Sequence, residues 1–180
     1  MKSILITILL LLPFAYSDTR ECGAVTATRD GLKAAALWTV QSQKTIQYTQ
    51  DIPTRWSGID NHTCPFTDVP AYADCSSFVT WLYWSAFGLG PDYLNGENWS
   101  AGYTGSMGTN GITVSLTDAQ PGGVVLYGVP PYDHAVMYIG DDGNGNNGVS
   151  FGITGPAILL NINYRNDFVI ESYPNFFTQN

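Results

Sequence analysis

The chain has 180 residues, enough for one domain that buries its own core without a metal or a dense disulfide framework. Seven basic against 15 acidic side chains give a formal net charge of -8, which argues against nucleic acid or an anionic membrane as partner. With charged residues at only 12%, any substrate has to be recognised by pocket chemistry rather than by a charged face.

Met1-Lys2 is a positive start, 4–14 a short apolar run, and Ala15-Tyr16-Ser17 a small-x-small cleavage site. Residues 1–17 therefore read as a signal peptide, and 18–180 as one secreted, extracellular domain. The apolar run is too short to span a bilayer comfortably, and no later stretch competes with it, so no membrane association is expected after its removal. Secretion places the three cysteines in an oxidising compartment, where three pairings are open and one thiol is always left over. Pairing Cys22 with Cys64 ties the N-terminal segment to a polar loop and spares Cys75, and that pairing is the one expected. Asn61-His62-Thr63 and Asn98-Trp99-Ser100 both satisfy the N-glycosylation triplet.

The spacing of Ala34, Leu37 and Trp38, with Val40 beside them, predicts a helix over 29–43. Residues 44–60 read as extended and looping. Pro65 and Pro70 lead to a central helix with Asp74 as N-cap, which runs to about 86 before Gly88-Leu89-Gly90-Pro91 stops it. A short helix is expected between 98 and 108. From 123 the pattern turns to strands at 124–127, 134–139, 148–153, 157–162 and 168–171, with a glycine- and asparagine-rich turn at 141–146. Helices first and strands afterwards give an α+β fold, N-terminal helices packed on a C-terminal antiparallel sheet. Trp81, Tyr83, Trp84, Trp99 and Tyr103 read as core packing, with a glycan-lining groove as the other reading.

Two side chains carry the chemistry. Cys75 stands in the first turn of the central helix, where the helix dipole and unpaired amides favour a thiolate and offer donors to an oxyanion. Its companions Phe78, Val79, Leu82 and Ala86 lie at helical spacing, so a core cysteine is the plainer reading. His134 opens an apolar strand about sixty residues later and is the only plausible base, since His62 lies in the sequon beside Cys64. A nucleophile at a helix start and a base on a sheet, in that order, are the parts of a thiol hydrolase. No paired C-x₂-C spacing points to zinc, the 141–148 turn fails the EF-hand pattern, and no cofactor is expected.

Three ordered motifs resemble those of NlpC-type cell-wall cysteine peptidases, within the papain-like superfamily. Tyr72-Ala73-Asp74-Cys75-Ser76-Ser77-Phe78-Val79 is similar to their helix start. Gln120-Pro121-Gly122-Gly123-Val124-Val125-Leu126-Tyr127 and His134-Ala135-Val136-Met137-Tyr138-Ile139-Gly140 are similar to two of their strands. Tyr48-Thr49-Gln50, Asn95-Gly96-Glu97-Asn98-Trp99, Ala101-Gly102-Tyr103-Thr104-Gly105 and Ser150-Phe151-Gly152 resemble a branch known from phage and actinobacterial lysins. The resemblance implies a papain-like NlpC-type fold over 18–180 and hydrolysis of amide bonds in bacterial peptidoglycan stem peptides by a monomer. It makes Cys75 the nucleophile, His134 the base, and Tyr48 and Asp74 substrate-binding positions, with Tyr48 shaping the oxyanion site. The third polar position, which orients the imidazole, falls at or near Phe151. Phenylalanine cannot accept that hydrogen bond, so the role is vacant, filled by water, or taken by a neighbour such as Ser150. Two other readings stay open: a muropeptide- or glycan-binding protein with weakened turnover, and a Cys–His acyltransferase or amidase on another substrate.

Overall fold

Helix α1 (Arg29–Ser42) begins where Thr28 Oγ1 accepts the Gly31 amide, and ends at Gln43 in the left-handed region. Its buried stripe is Leu32, Ala35, Ala36 and Thr39. That is rotated from the expected face: Ala34 is exposed, and Leu37 and Trp38 are only half-buried. Small side chains on the inner face let α1 approach the central helix closely.

In a computed structural model the described residues are 22–61, 63–88 and 90–178. The expected signal peptide (1–17) and His62 lie outside them. Residues 44–60, expected to be extended and looping, contain a two-residue strand β1 (Gln47–Tyr48) and a helix α2 (Ile52–Asp60). Asp51 caps α2 by accepting the Thr54 amide, and Pro53 sits in the first turn, where a missing N–H costs nothing. Read as a breaker, that proline conceals the helix. Strand β2 (Tyr72–Ala73) pairs in parallel with β1 just ahead of the central helix. The disulfide Cys22–Cys64 holds the N-terminal segment against the loop preceding β2. It spans a sequence separation of 42, worth about 4 kcal/mol in chain-entropy terms.

The central helix α3 (Cys75–Phe87) is buried along its length from Cys75 to Ala86 and stops at Gly88, φ 56°. A short helix α4 (Thr104–Asn110) follows, later than the 98–108 expected. The sheet comprises β3 (Ile112–Val114), β4 (Val124–Tyr127), β5 (His134–Asp141), β6 (Asn146–Ser150), β7 (Ile158–Asn161) and β8 (Phe168–Ser172), in the order β3-β8-β4-β5-β6-β7. All its pairings are antiparallel. Helices and an antiparallel sheet make this an α+β fold. Strand β3 escaped the sequence reading because Ile112-Thr113-Val114 is short and sits at the sheet edge against β8.

One sheet face, with Val124, Leu126, Ala135, Met137 and Val149, packs on the helices. Val125, Tyr127, Val136, Tyr138, Ile162 and Ile170 form a second cluster on the other face. Trp81, Tyr83, Trp84 and Trp99 are buried in the main core, so the groove reading fails for these four, whereas Tyr103 is 54% exposed. Among the described residues no helix is long and apolar enough to cross a membrane.

Gly58 is where α2 meets β2: a Cβ there would come within 2.2 Å of the Tyr72 carbonyl oxygen. Gly58→Ala should therefore lose stability despite its better helix propensity, by about 1–3 kcal/mol of overpacking. Thermal unfolding followed by circular dichroism checks this, with a Tm roughly 3–10 °C lower expected.

Candidate active site

Cys75 is the first residue of α3, and the start of that helix is held from several sides. Asp74 Oδ1 accepts from the Ser77 amide (2.8 Å), Ser77 Oγ (2.8 Å) and Ser76 Oγ (3.0 Å), while Ser77 Oγ accepts from the Asp74 amide (2.7 Å). This reciprocal arrangement is a capping box, which ties the donors of the first turn to side chains. Asp74 Oδ2 accepts from the guanidinium of Arg55, which α2 brings underneath. Both residues are buried. Asp74 is thus turned inward, with each oxygen engaged by neighbouring side chains or amides. Arg55 was missed because its helix was missed. The Asp51 cap and Pro53 one turn earlier are the signal that could have found it.

Cys75 is the free cysteine among the described residues and is 7% exposed. Burial pushes its thiol up to about 11, the Asp74 charge acting in the same sense. The amides of Ala135, Ser76 and Cys75 itself pull the other way without prevailing. Helix-start amides do reach the sulfur, as expected, but desolvation outweighs them and the resting group is a thiol. Ala135 is the residue after His134 in β5, so its amide brings the sulfur to the start of that strand.

His134 is the first residue of β5 and pairs with Tyr127 of β4, on whose ring its imidazole stacks at 6.1 Å. Its Nε2 is hydrogen-bonded to Ser150 Oγ at 2.8 Å. Ser150 is buried at the end of β6, opposite Val136. Of the three possibilities left open, a hydroxyl from the neighbouring Ser150 is the one that meets the imidazole here. Phe151 is 1% exposed and packs its ring on Phe78 of α3 and on Tyr48, at 5.8 and 6.0 Å. It is core. Burial lowers the His134 pKa below the usual imidazole value, against the opposing Asp133 charge. Gly152 leaves room for the ring, since a Cβ there would stand 3.3 Å from His134 Cε1.

Tyr48 arrives from the far side of the sequence. Its amide donates to Thr154 Oγ1 (2.9 Å), and Ile46 bridges to Gly155, so β1 is clipped to the loop after β6. Burial first, and then closeness to the Cys75 thiol, hold its phenol above the ordinary value, so it stays a proton donor at neutral pH. A cleft of about 590 Å³ runs past Tyr48, Asp133, His134, Ser150, Ile158 and Arg165. Cys75 itself does not line it. Arg165 grips Asp133 with two hydrogen bonds, 2.9 and 3.1 Å, at one side of the cleft. The sequon asparagines Asn61 and Asn98 are both exposed. Among the described residues no group of three or more His, Cys, Asp or Glu could hold a metal ion.

No family model matches the sequence, and comparison with curated proteins gives no match. Among solved structures the chain is similar to RipD of Mycobacterium tuberculosis, described as a non-catalytic NlpC/p60 domain protein adapted to peptidoglycan binding. The TM-score is 0.47 and the identity 16%, over 78% of this chain and 96% of RipD. It is also similar to the resuscitation-promoting-factor-interacting protein RipA (TM-score 0.45, identity 16%, 81% of this chain and 65% of that one). A hypothetical invasion protein of Mycobacterium tuberculosis is similar at a TM-score of 0.43 and 18% identity, over 81% of this chain and 65% of that one. At such scores the likeness carries nothing about activity.

Removing Arg55 leaves the buried Asp74 charge without its counter-ion. Arg55→Met should lower stability by about 3–5 kcal/mol in urea unfolding. In the double variant Arg55→Met, Asp74→Asn much of that loss should return, because no buried charge is left unpaired.

Proposed function

We propose that the chain is a secreted thiol hydrolase that cleaves amide bonds in bacterial peptidoglycan stem peptides. Cys75 is the nucleophile, His134 the base and Ser150 the residue that orients the imidazole. What supports this reading is the Ala135 amide, next in sequence to His134, acting on the Cys75 thiol, together with a His134 ring tied through Nε2 to Ser150. The three motifs that resemble cell-wall peptidases supply the start of α3, β4 and β5, the elements that carry Cys75, Tyr127 and His134. They are the support for the substrate class.

With Nε2 engaged by Ser150, Nδ1 is the ring nitrogen for exchange with the thiol. The thiol proton passes to Nδ1 as sulfur attacks the amide carbon. The Cys75 amide and the Tyr48 hydroxyl donate to the oxyanion that forms. The imidazolium then gives its proton to the departing amine, leaving a thioester, and water activated by His134 releases the acid. Because burial opposes charge on both partners, the resting pair is neutral, and the proton moves during attack rather than before it.

A pH prediction follows from these directions. The active form needs His134 deprotonated and Cys75 protonated. The acid limb of kcat/KM should fall below about pH 6.5, the ordinary imidazole value, because the His134 pKa is lowered. The alkaline limb should wait for the thiol at about 11. A plateau from about pH 7 to 10 is expected, whereas a preformed thiolate–imidazolium pair would decline within that range, as its imidazolium loses the proton that the thiolate had stabilised.

Mass spectrometry of peptidoglycan digested by the mature protein is the direct test of the reaction. Released stem-peptide fragments are expected, and none from Cys75→Ala or His134→Ala, since nucleophile and base act as a unit. Ser150→Ala should keep the thiol and lose up to about 100-fold in kcat through a misaimed imidazole. A second reading, a muropeptide-binding protein without turnover, is favoured by the burial of Cys75 at 7% exposure. Intact peptidoglycan that is bound and never cut would select it.

A further inference from the structure

A second cavity, of about 750 Å³, lies between α4 and the segment 130–132. None of its eleven lining residues carries a formal charge. The cleft beside His134 differs, since Asp133 and Arg165 stand in its wall. The two hollows flank one stretch of chain: Pro130, Pro131 and Tyr132 face the neutral one, Asp133 and His134 the charged one.

The neutral cavity has two tyrosines, and α4 is built around them. Gly105 lies against the Tyr103 ring, and a Cβ there would come 2.6 Å from Tyr103 Cε1. Gly108 lies against the Tyr132 ring, with 2.3 Å to Cε2. Two glycines in a helix of seven residues weaken it by about 1 kcal/mol each relative to alanine. Tyr132 also adopts φ 66°, a conformation costly for a bulky residue. Local stability is given up on both elements to seat two aromatic rings at an open cavity, one of them, Tyr103, 54% exposed.

The polar groups around the rings suit hydroxyls rather than ions. Thr109 Oγ1 and Ser106 Oγ donate to the Gly105 and Tyr103 carbonyls at 2.9 Å, so their oxygens remain acceptors. Asn110 lines the wall and can both donate and accept. Aromatic faces, amides and hydroxyls without charge are the chemistry that holds a neutral sugar, its C–H face on a ring and its hydroxyls on the amides.

We propose that this cavity is a saccharide subsite that takes the neutral glycan strand while the stem peptide occupies the cleft beside His134. The saccharide chemistry stands on the cavity alone; the identity of the strand rests on the peptidoglycan reading above.

Titration of the mature protein with chitotetraose, a neutral acetylated amino-sugar oligomer, tests the subsite by NMR without requiring turnover. Saturable binding near about 1 mM is expected, weakened at least about tenfold in Tyr103→Ala and within about twofold of wild type in Tyr103→Phe, which keeps the ring. No saturable binding up to about 10 mM, or unchanged binding by a folded Tyr103→Ala, overturns the proposal. In the kinetic arm, Tyr103→Ala should raise KM for a disaccharide-bearing peptide about tenfold more than for the free stem peptide. Equal effects on the two substrates overturn the assignment of the strand. Absence of any cleavage counts against the hydrolase reading, and the chitotetraose arm still decides the subsite.

Discussion

The buried ion pair between Arg55 and Asp74 is the constraint on which the site depends. It joins α2 to the first turn of α3, and the same carboxylate closes the capping box with Ser77 and accepts from Ser76 as well. A charge buried this deeply is tolerable only while its partners stay in place, so the position of the helix start is specified rather than approximate. Cys75 comes immediately after Asp74, and its sulfur inherits that precision. The parallel pairing of β1 with β2 extends the same anchoring to Tyr48.

Holding the thiol this firmly has an electrostatic consequence. The helix start offers amides that favour a thiolate, and the sulfur does receive them, yet its 7% exposure removes the water that would solvate the charge. Burial acts in the neutral direction on His134 as well. In the reaction proposed above, such a site would conserve its protons until a substrate replaced the missing solvent with a carbonyl to attack. The phenol of Tyr48, kept protonated by the same burial, belongs to that arrangement.

The sheet contributes order of a different kind. Because β4, β5 and β6 are antiparallel neighbours, residues far apart in sequence stand opposite one another by register alone. His134 is stacked on Tyr127, and Ser150 is delivered by the adjacent strand to its Nε2. Phe151, one residue further on and just past the end of β6, packs instead on Phe78 and Tyr48. A shift of one residue separates the orienting hydroxyl from a core aromatic.

The amino-acid sequence by itself determined the α+β class and the limits of α1, α3 and β4 nearly to the residue, and it singled out Cys75 and His134 as the candidates for thiol chemistry. Those features are local: a cap at Asp74, a stop at Gly88, alternation in 124–127, and a scarcity of cysteine and histidine. Helix α2 was hidden because Pro53 reads as a breaker when its place in a first turn is not known. Arg55, the choice of Ser150 over Phe151 and the neutrality of the Cys75–His134 pair were decided only in three dimensions. Each depends on which groups are brought together and how much water they lose. Burial and register are properties of contacts between distant segments, and no local pattern of residues encodes them.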